Sequence, residues 1–147
     1  MSWRIESTRD VEATPEVVFD LYASPESWGR WAHHTKRAHS PEPLRVGSVV
    51  DVTDGFGHTW HVAIERLEPG SHMTCVNRDM GFVITSTYDV VATERGCRIH
   101  HVIEMGGRLQ LLYRPLQPVY GHLLRGETQR LADLASNRGS APAAMPA

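Results

Sequence analysis

The chain has 147 residues, 15 basic against 17 acidic for a formal charge of −2, with 41% hydrophobic and 22% charged side chains. That describes one ordinary globular domain, large enough to bury about two-thirds of its unfolded surface and so to enclose a core or cavity without disulfide or metal staples. Wholesale disorder is excluded, and so small a charge offers no basic face to nucleic acid or to anionic membranes.

The opening Met1-Ser2-Trp3-Arg4-Ile5-Glu6 lacks the apolar stretch of a signal peptide, and no run approaches the ~20 apolar residues of a membrane span. A cytoplasmic protein is expected. Cys75 and Cys97 belong to no C-x-x-C pattern and read as free, buried thiols.

In chain order, residues 3–11 mix apolar and polar positions as a short edge strand does. Thr14-Pro15-Glu16 supplies an N-cap hydroxyl and a proline at the first helical position, and Val17, Val18, Leu21 and Tyr22 follow at helical spacing, predicting a helix over 14–23. Ser24-Pro25-Glu26 opens a second short helix that sets Trp28 and Trp31 on one face. After a polar stretch with Pro41 and Pro43, residues 46–52 read as a strand, and Asp54-Gly55-Phe56-Gly57 as a turn. Four β-like segments follow, 58–67, 72–78, 82–92 and 97–105, with Pro69-Gly70, Met80-Gly81 and Arg95-Gly96 between them, the pattern of an antiparallel meander. Beyond Gly106-Gly107 the period changes: Tyr120, Leu124, Glu127, Leu131 and Leu134 fall at steps of four and three, one face of a long helix. Residues 136–147 are small residues, proline and glycine; one domain over 1–137 and a disordered tail over 138–147 are expected.

The local motifs carry a resemblance. Ala13-Thr14-Pro15-Glu16-x-Val18-Phe19-Asp20 is similar to the entry to the first helix in the START and birch-pollen-allergen superfamily (SRPBCC), and Pro25-x-x-Trp28-x-x-Trp31 to its second helix. Gly57-x-Thr59-Trp60-x-Val62 and Leu67-Glu68-Pro69-Gly70 resemble the strand-to-turn segment of bacterial members called polyketide cyclase/dehydrase. The resemblance covers residues 3–137 and implies an α+β helix-grip fold: a curved antiparallel sheet of about seven strands around a long C-terminal helix, with two short helices after the first strand and a ligand cavity between sheet and helix. Members of such a fold include cyclases, aromatases, lipid carriers, receptors and co-chaperone domains, so the site must decide the function.

Strand parity sorts the polar candidates. Ile99, Ile103 and Met105 mark the inward face of segment 97–105, and His101 shares it, whereas His100 and Glu104 point outward. His101 reads as the leading catalytic base, since an imidazole exchanges protons near neutral pH, or as a buried histidine hydrogen-bonded to a neighbour. Ile84, Ser86, Tyr88 and Val90 face inward from 82–92, and Trp60, Val62 and Ile64 from 58–67. Tyr88 reads as a donor to a ligand carbonyl or as a satisfied core tyrosine, and Trp60 as a flat wall for a ring or a core tryptophan. Glu127 stands in the apolar stripe between Leu124 and Leu131. A carboxylate there needs a partner or an upward-shifted pKa, which makes it an acid or an orienter of His101, unless the helix is rotated and Glu127 is solvated. Asn77, Arg9 and Ser86 are further polar candidates; Ile103, Tyr120 and Leu124 are apolar ones; Trp28, Trp31, His33 and His34 are placed near the entrance.

Nine histidines invite a metal site, but His58 and His61 are an odd number apart and His100 and His101 are adjacent, so each pair splits across a strand, and no His-x-His or His-x-x-x-His occurs. G-x-S-x-G, G-x-G-x-x-G at a strand-to-helix turn and the P-loop are also missing. The sequence departs from the aromatase/cyclase pattern in one strand: Thr59-Trp60-His61-Val62-Ala63-Ile64-Glu65 carries no inward arginine. The expected function is a cofactor-independent, metal-independent cyclase or dehydratase of specialised metabolism, antibiotic biosynthesis included. It would bind a polyketide-like, polycarbonyl intermediate, free or tethered to an acyl carrier protein, as a monomer or homodimer. The alternatives are a non-catalytic carrier or sequestering protein for a hydrophobic small molecule and, from a third class, an interaction domain with an exposed apolar patch.

Overall fold

A computed structural model describes residues 3–40, 43–79 and 81–144, with side chains through residue 138. Met1, Ser2, Pro41, Glu42, Met80 and 145–147, and with them parts of two connections and the end of the expected tail, lie outside the described residues. Seven antiparallel strands form one sheet: β1 (Trp3–Val11), β2 (Thr35–His39), β3 (Val49–Asp54), β4 (Thr59–Glu68), β5 (His72–Asp79), β6 (Phe82–Thr93) and β7 (Gly96–Gly106), in the spatial order β1-β7-β6-β5-β4-β3-β2. Strands β2 to β7 are a meander in sequence order, and β1 returns to pair with β7, Trp3 opposite Met105 and Val11 opposite Cys97. This is the helix-grip fold.

Four helices fill the concave side or close it: α1 (Pro15–Tyr22), α2 (Trp28–Trp31), α3 (Gln110–Tyr113) and α4 (Gln117–Ala144). The Thr14 hydroxyl accepts a hydrogen bond from the Val17 amide at 3.3 Å, capping α1 as its sequence requires. A 3-10 turn, Pro25–Ser27, then leads straight into α2. There the buried Ser27 hydroxyl lies 2.8 Å from the carbonyls of Leu21 and Ser24 and accepts the Trp31 indole N–H at 3.1 Å, while the Trp28 indole donates to the Tyr22 carbonyl at 3.0 Å. Those bonds fix two large rings on the side facing the sheet. Gly29 lets α2 approach β2 closely, because a Cβ there would stand 2.6 Å from the Lys36 carbonyl. Helix α4 lies across β1, α1 and α2, burying Leu124, Glu127, Thr128, Leu131 and Ala135.

Three local features differ from the sequence reading. Strand β2 has no counterpart in it: Thr35-Lys36-Arg37-Ala38-His39 buries only Ala38 and forms the sheet edge, so it carries no alternating apolar signal. The strand expected over 46–52 begins instead at Val49 and ends at Asp54. A register shift between Ile64 and Arg66 in β4 places an extra residue there, after the inward set Trp60, Val62 and Ile64, so their parity holds. Helix α4 is described to Ala144, so its backbone continues into the stretch over 138–147 that the sequence reading gives as a tail. Among the described residues no helix is long and apolar enough to cross a membrane.

Candidate active site

Between the concave sheet and the helices lies a cavity of about 340 Å³. Its walls are mainly aromatic and aliphatic: Trp60 and Val62 from β4, Ile84 from β6, Ile103 from β7, and Trp28 and Trp31 from α2. Alternate residues of adjacent strands supply these walls, which is why parity finds them. Asn77 and Ser86 bring polar groups to the same lining, and Tyr120 closes it from α4.

At the α4 side of the cavity, five polar side chains meet. Glu127 is wholly buried in its own protein, yet it contributes to the lining. Its Oε2 accepts from His101 Nδ1 at 2.7 Å; its Oε1 accepts from His33 Nδ1 at 2.9 Å and from the His33 backbone amide at 3.1 Å. His101 Nε2 in turn meets the Tyr22 hydroxyl at 2.8 Å. The Tyr88 ring stands edge-on to His101, centroids 4.7 Å apart, and packs on Tyr22 and Trp31.

Electrostatics assign the protons. Burial alone would push the Glu127 carboxyl up, but the His33 charge, the hydrogen bonds from His101 and His33, and the His101 charge outweigh it and hold the group well below the usual carboxylate range. Glu127 is therefore an anion. Burial, then the Glu127 charge, push the phenols of Tyr22 and Tyr88 well above the ordinary tyrosine value, so both keep their protons and act as donors. The chain of bonds is then Tyr22 O–H to His101 Nε2, and His101 Nδ1–H to Glu127, with His33 Nδ1–H on the other carboxylate oxygen.

The structure thus brings His101, Glu127 and Tyr88 together, with Trp28, Trp31, Trp60, Asn77, Ser86, Ile103 and Tyr120 on the cavity wall. Three of the candidates do not reach the cavity wall. His101 is wholly buried, does not line the cavity and has both ring nitrogens engaged, since Tyr22 fills the side that would otherwise open inward. Arg9 lies on the α4-facing side of β1 but toward its Val11 end, where its guanidinium reaches the Thr128 hydroxyl at 3.3 Å and lines a separate surface cleft with Asp10 and Arg98. Leu124 is buried in the apolar cluster with Ile5 and Ile103 and does not reach the lining. For Glu127, the partnered carboxylate replaces the acid with a raised pKa, because two histidines offset the cost of burial.

Sequence reasoning gave Tyr22 no polar role, and it placed His33 near the entrance without joining it to Glu127. Tyr22 reads as one more apolar residue of the α1 face, and its hydroxyl is invisible to periodicity. His33 sits in the irregular link after α2, where no period applies; the next residue, His34, has φ of +56°. The one available signal was Glu127 itself, since a carboxylate in an apolar stripe demands more donors than a single histidine supplies.

The fold is shared with characterised structures. The di-domain ARO/CYC StfQ from the steffimycin biosynthetic pathway superposes with a TM-score of 0.73 at 16% identity, over 94% of this chain and 52% of that one. Norcoclaurine synthase from Thalictrum flavum, solved in complex with dopamine and hydroxybenzaldehyde, gives a TM-score of 0.67 at 15% identity, over 91% of this chain and 86% of that one. In sequence, an uncharacterized protein of Mycobacterium tuberculosis is 31% identical over 100 residues, 63% of this chain and 59% of the relative, so the match spans about three-fifths of that relative's length. With the helix-grip architecture in place and residues 2–135 matching the family model described as polyketide cyclase / dehydrase and lipid transport, the chain belongs to that family.

Proposed function

We propose that the protein is a cofactor-independent cyclase or dehydratase acting on a polycarbonyl, polyketide-like intermediate. The observation that carries this reading is one buried, charged carboxylate paired with histidines at the wall of an otherwise aromatic and aliphatic cavity. A plain apolar carrier has no use for so costly a group; proton transfer does.

Against Trp60 and the apolar strands a flexible chain would fold so that two carbonyl-bearing segments meet, and this positioning supplies much of the rate gain. A base in the Glu127 cluster removes a proton from the carbon between two carbonyls, and the C–H electrons form a C–C bond to a distant carbonyl carbon. The oxygen of that carbonyl takes up a proton to become a hydroxyl. Loss of a second C–H proton and of this hydroxyl as water yields the double bond, with no change of oxidation state overall. Tyr88, protonated and at the wall, donates to the developing enolate oxygen, with Asn77 and Ser86 as further polar contacts.

The test is metabolite profiling of the source organism with the gene deleted, then restored intact or as Glu127→Gln. Accumulation of an uncyclised or wrongly cyclised product that only the intact gene corrects supports the reading. An unchanged product spectrum with reduced tolerance or retention of a compound sinks it in favour of a carrier.

A further inference from the structure

The geometry points to His33 as the base that takes the substrate proton, with Glu127 orienting it and the His101–Tyr22 pair bracing the carboxylate from behind; this rests on the reading that the cavity performs a proton transfer. Three groups of the cluster compete for the role, and their bonding separates them. Glu127 spends both oxygens on histidines, and an anion so well solvated by donors is a weak base. His101 is bonded at both nitrogens and lies behind the wall. His33 contributes to the lining, its side chain is 20% exposed, and of its two ring nitrogens only Nδ1 has a hydrogen-bond partner among the described residues.

With Nδ1–H fixed on the carboxylate, the lone pair of a neutral His33 sits on Nε2, the nitrogen left without a partner. The adjacent backbone amide of His33 binds the same Glu127 oxygen at 3.1 Å, so main chain and ring are held together and the ring orientation is set in advance. When Nε2 takes a proton, the imidazolium that forms lies against a carboxylate already in place. A further titratable group beside it is His34, whose ring is 5.5 Å away and packs on Tyr120; burial first, then the His33 charge, hold it below the usual histidine value. His34 also lines the cavity but has no carboxylate to orient it.

The probe is 5-nitrobenzisoxazole, which needs one base and nothing else: its ring C–H breaks, the proton passes to the base, and the N–O bond opens to a cyanophenolate read by absorbance. The full chain is expected to open it with saturation, and His33→Gln to lower kcat by at least about tenfold. Glu127→Gln is expected to lower kcat more than it alters KM, with part of the loss recovered in Glu127→Asp, and His100→Gln, on the outer face of β7, to retain the parent rate. A rate that survives His33→Gln, a larger loss in His34→Gln or His101→Gln, or no elimination by the parent beyond that of free imidazole overturns the assignment. A second measurement needs no variant: ¹⁵N spectra of the histidine rings in the unaltered chain should place the neutral-form proton of His33 on Nδ1, and a proton on Nε2 overturns it. The probe is no polyketide, so its turnover with an unchanged metabolite profile would remove the cyclase reading and keep the base.

Discussion

The two ends of the cavity solve opposite problems. Where α4 meets α1 and the link after α2, Tyr22, His33, His101 and Glu127 form a network in which each carboxylate oxygen and three of four ring nitrogens are bonded. At the other end, Trp3, Ile5, Phe82, Ile103, Met105 and Leu124 make a purely apolar cluster, and the Trp3 indole nitrogen has no hydrogen-bond partner there among the described residues. The polar end provides reactivity that survives only while every group is satisfied, whereas the apolar end provides volume and tolerates local imperfection.

That contrast can be broken by substitution. His101→Leu removes one of the two histidines from a buried carboxylate and orphans the Tyr22 hydroxyl, and we expect it to cost about 3–5 kcal/mol in a urea titration. Leu124→Ala, at the apolar end, should cost about 3 kcal/mol, from lost burial and a residual void, and should leave the slope of stability against pH unchanged. A smaller loss for His101→Leu than for Leu124→Ala would contradict the comparison.

Acidification sharpens it further. The folded-state pKa of Glu127 is lowered, so its contribution is fully present above the unfolded carboxyl value of about 4.3 and is lost as pH falls through the folded value. We expect Tm of the parent to fall below about pH 4.3 and the Glu127→Gln variant, though less stable at neutral pH, to fall less steeply. Equal slopes would mean that Glu127 is not the group held as an anion.

The two indoles give a smaller difference. Trp28 donates to the Tyr22 carbonyl while Trp3 has no acceptor among the described residues, so Trp28→Phe should cost about 1 kcal/mol more than Trp3→Phe in the same titration. The smallest effect is none at all: burial first pushes the Cys75 thiol up to about 12 and Cys97 up to about 11, so at about pH 8 neither should react with a disulfide reagent until the chain unfolds.

Much of this site could be read from the chain. Period-two alternation put Tyr88, Ser86, Asn77 and Trp60 on the cavity face, because a regular strand leaves a side chain only two directions. Period 3.6 put Glu127 inside, since Leu124 and Leu131 bury the same stripe of α4. The same parity placed His101 inward correctly but could not say that Tyr22 would stand between it and the cavity.

What the sequence determined by itself was therefore the set of regular elements and the face on which each side chain lies, both of which follow from local backbone geometry and burial. Only the tertiary structure decided which inward groups meet. Tyr22 and His101 are joined across 79 positions of sequence, and His33 and Glu127 across 94. Those contacts depend on how α1 and the link after α2 seat against α4, a matter of packing between elements that carries no periodic signal in the chain. For the same reason β2, a polar edge with one buried alanine, emerged only when β3 gave it a partner.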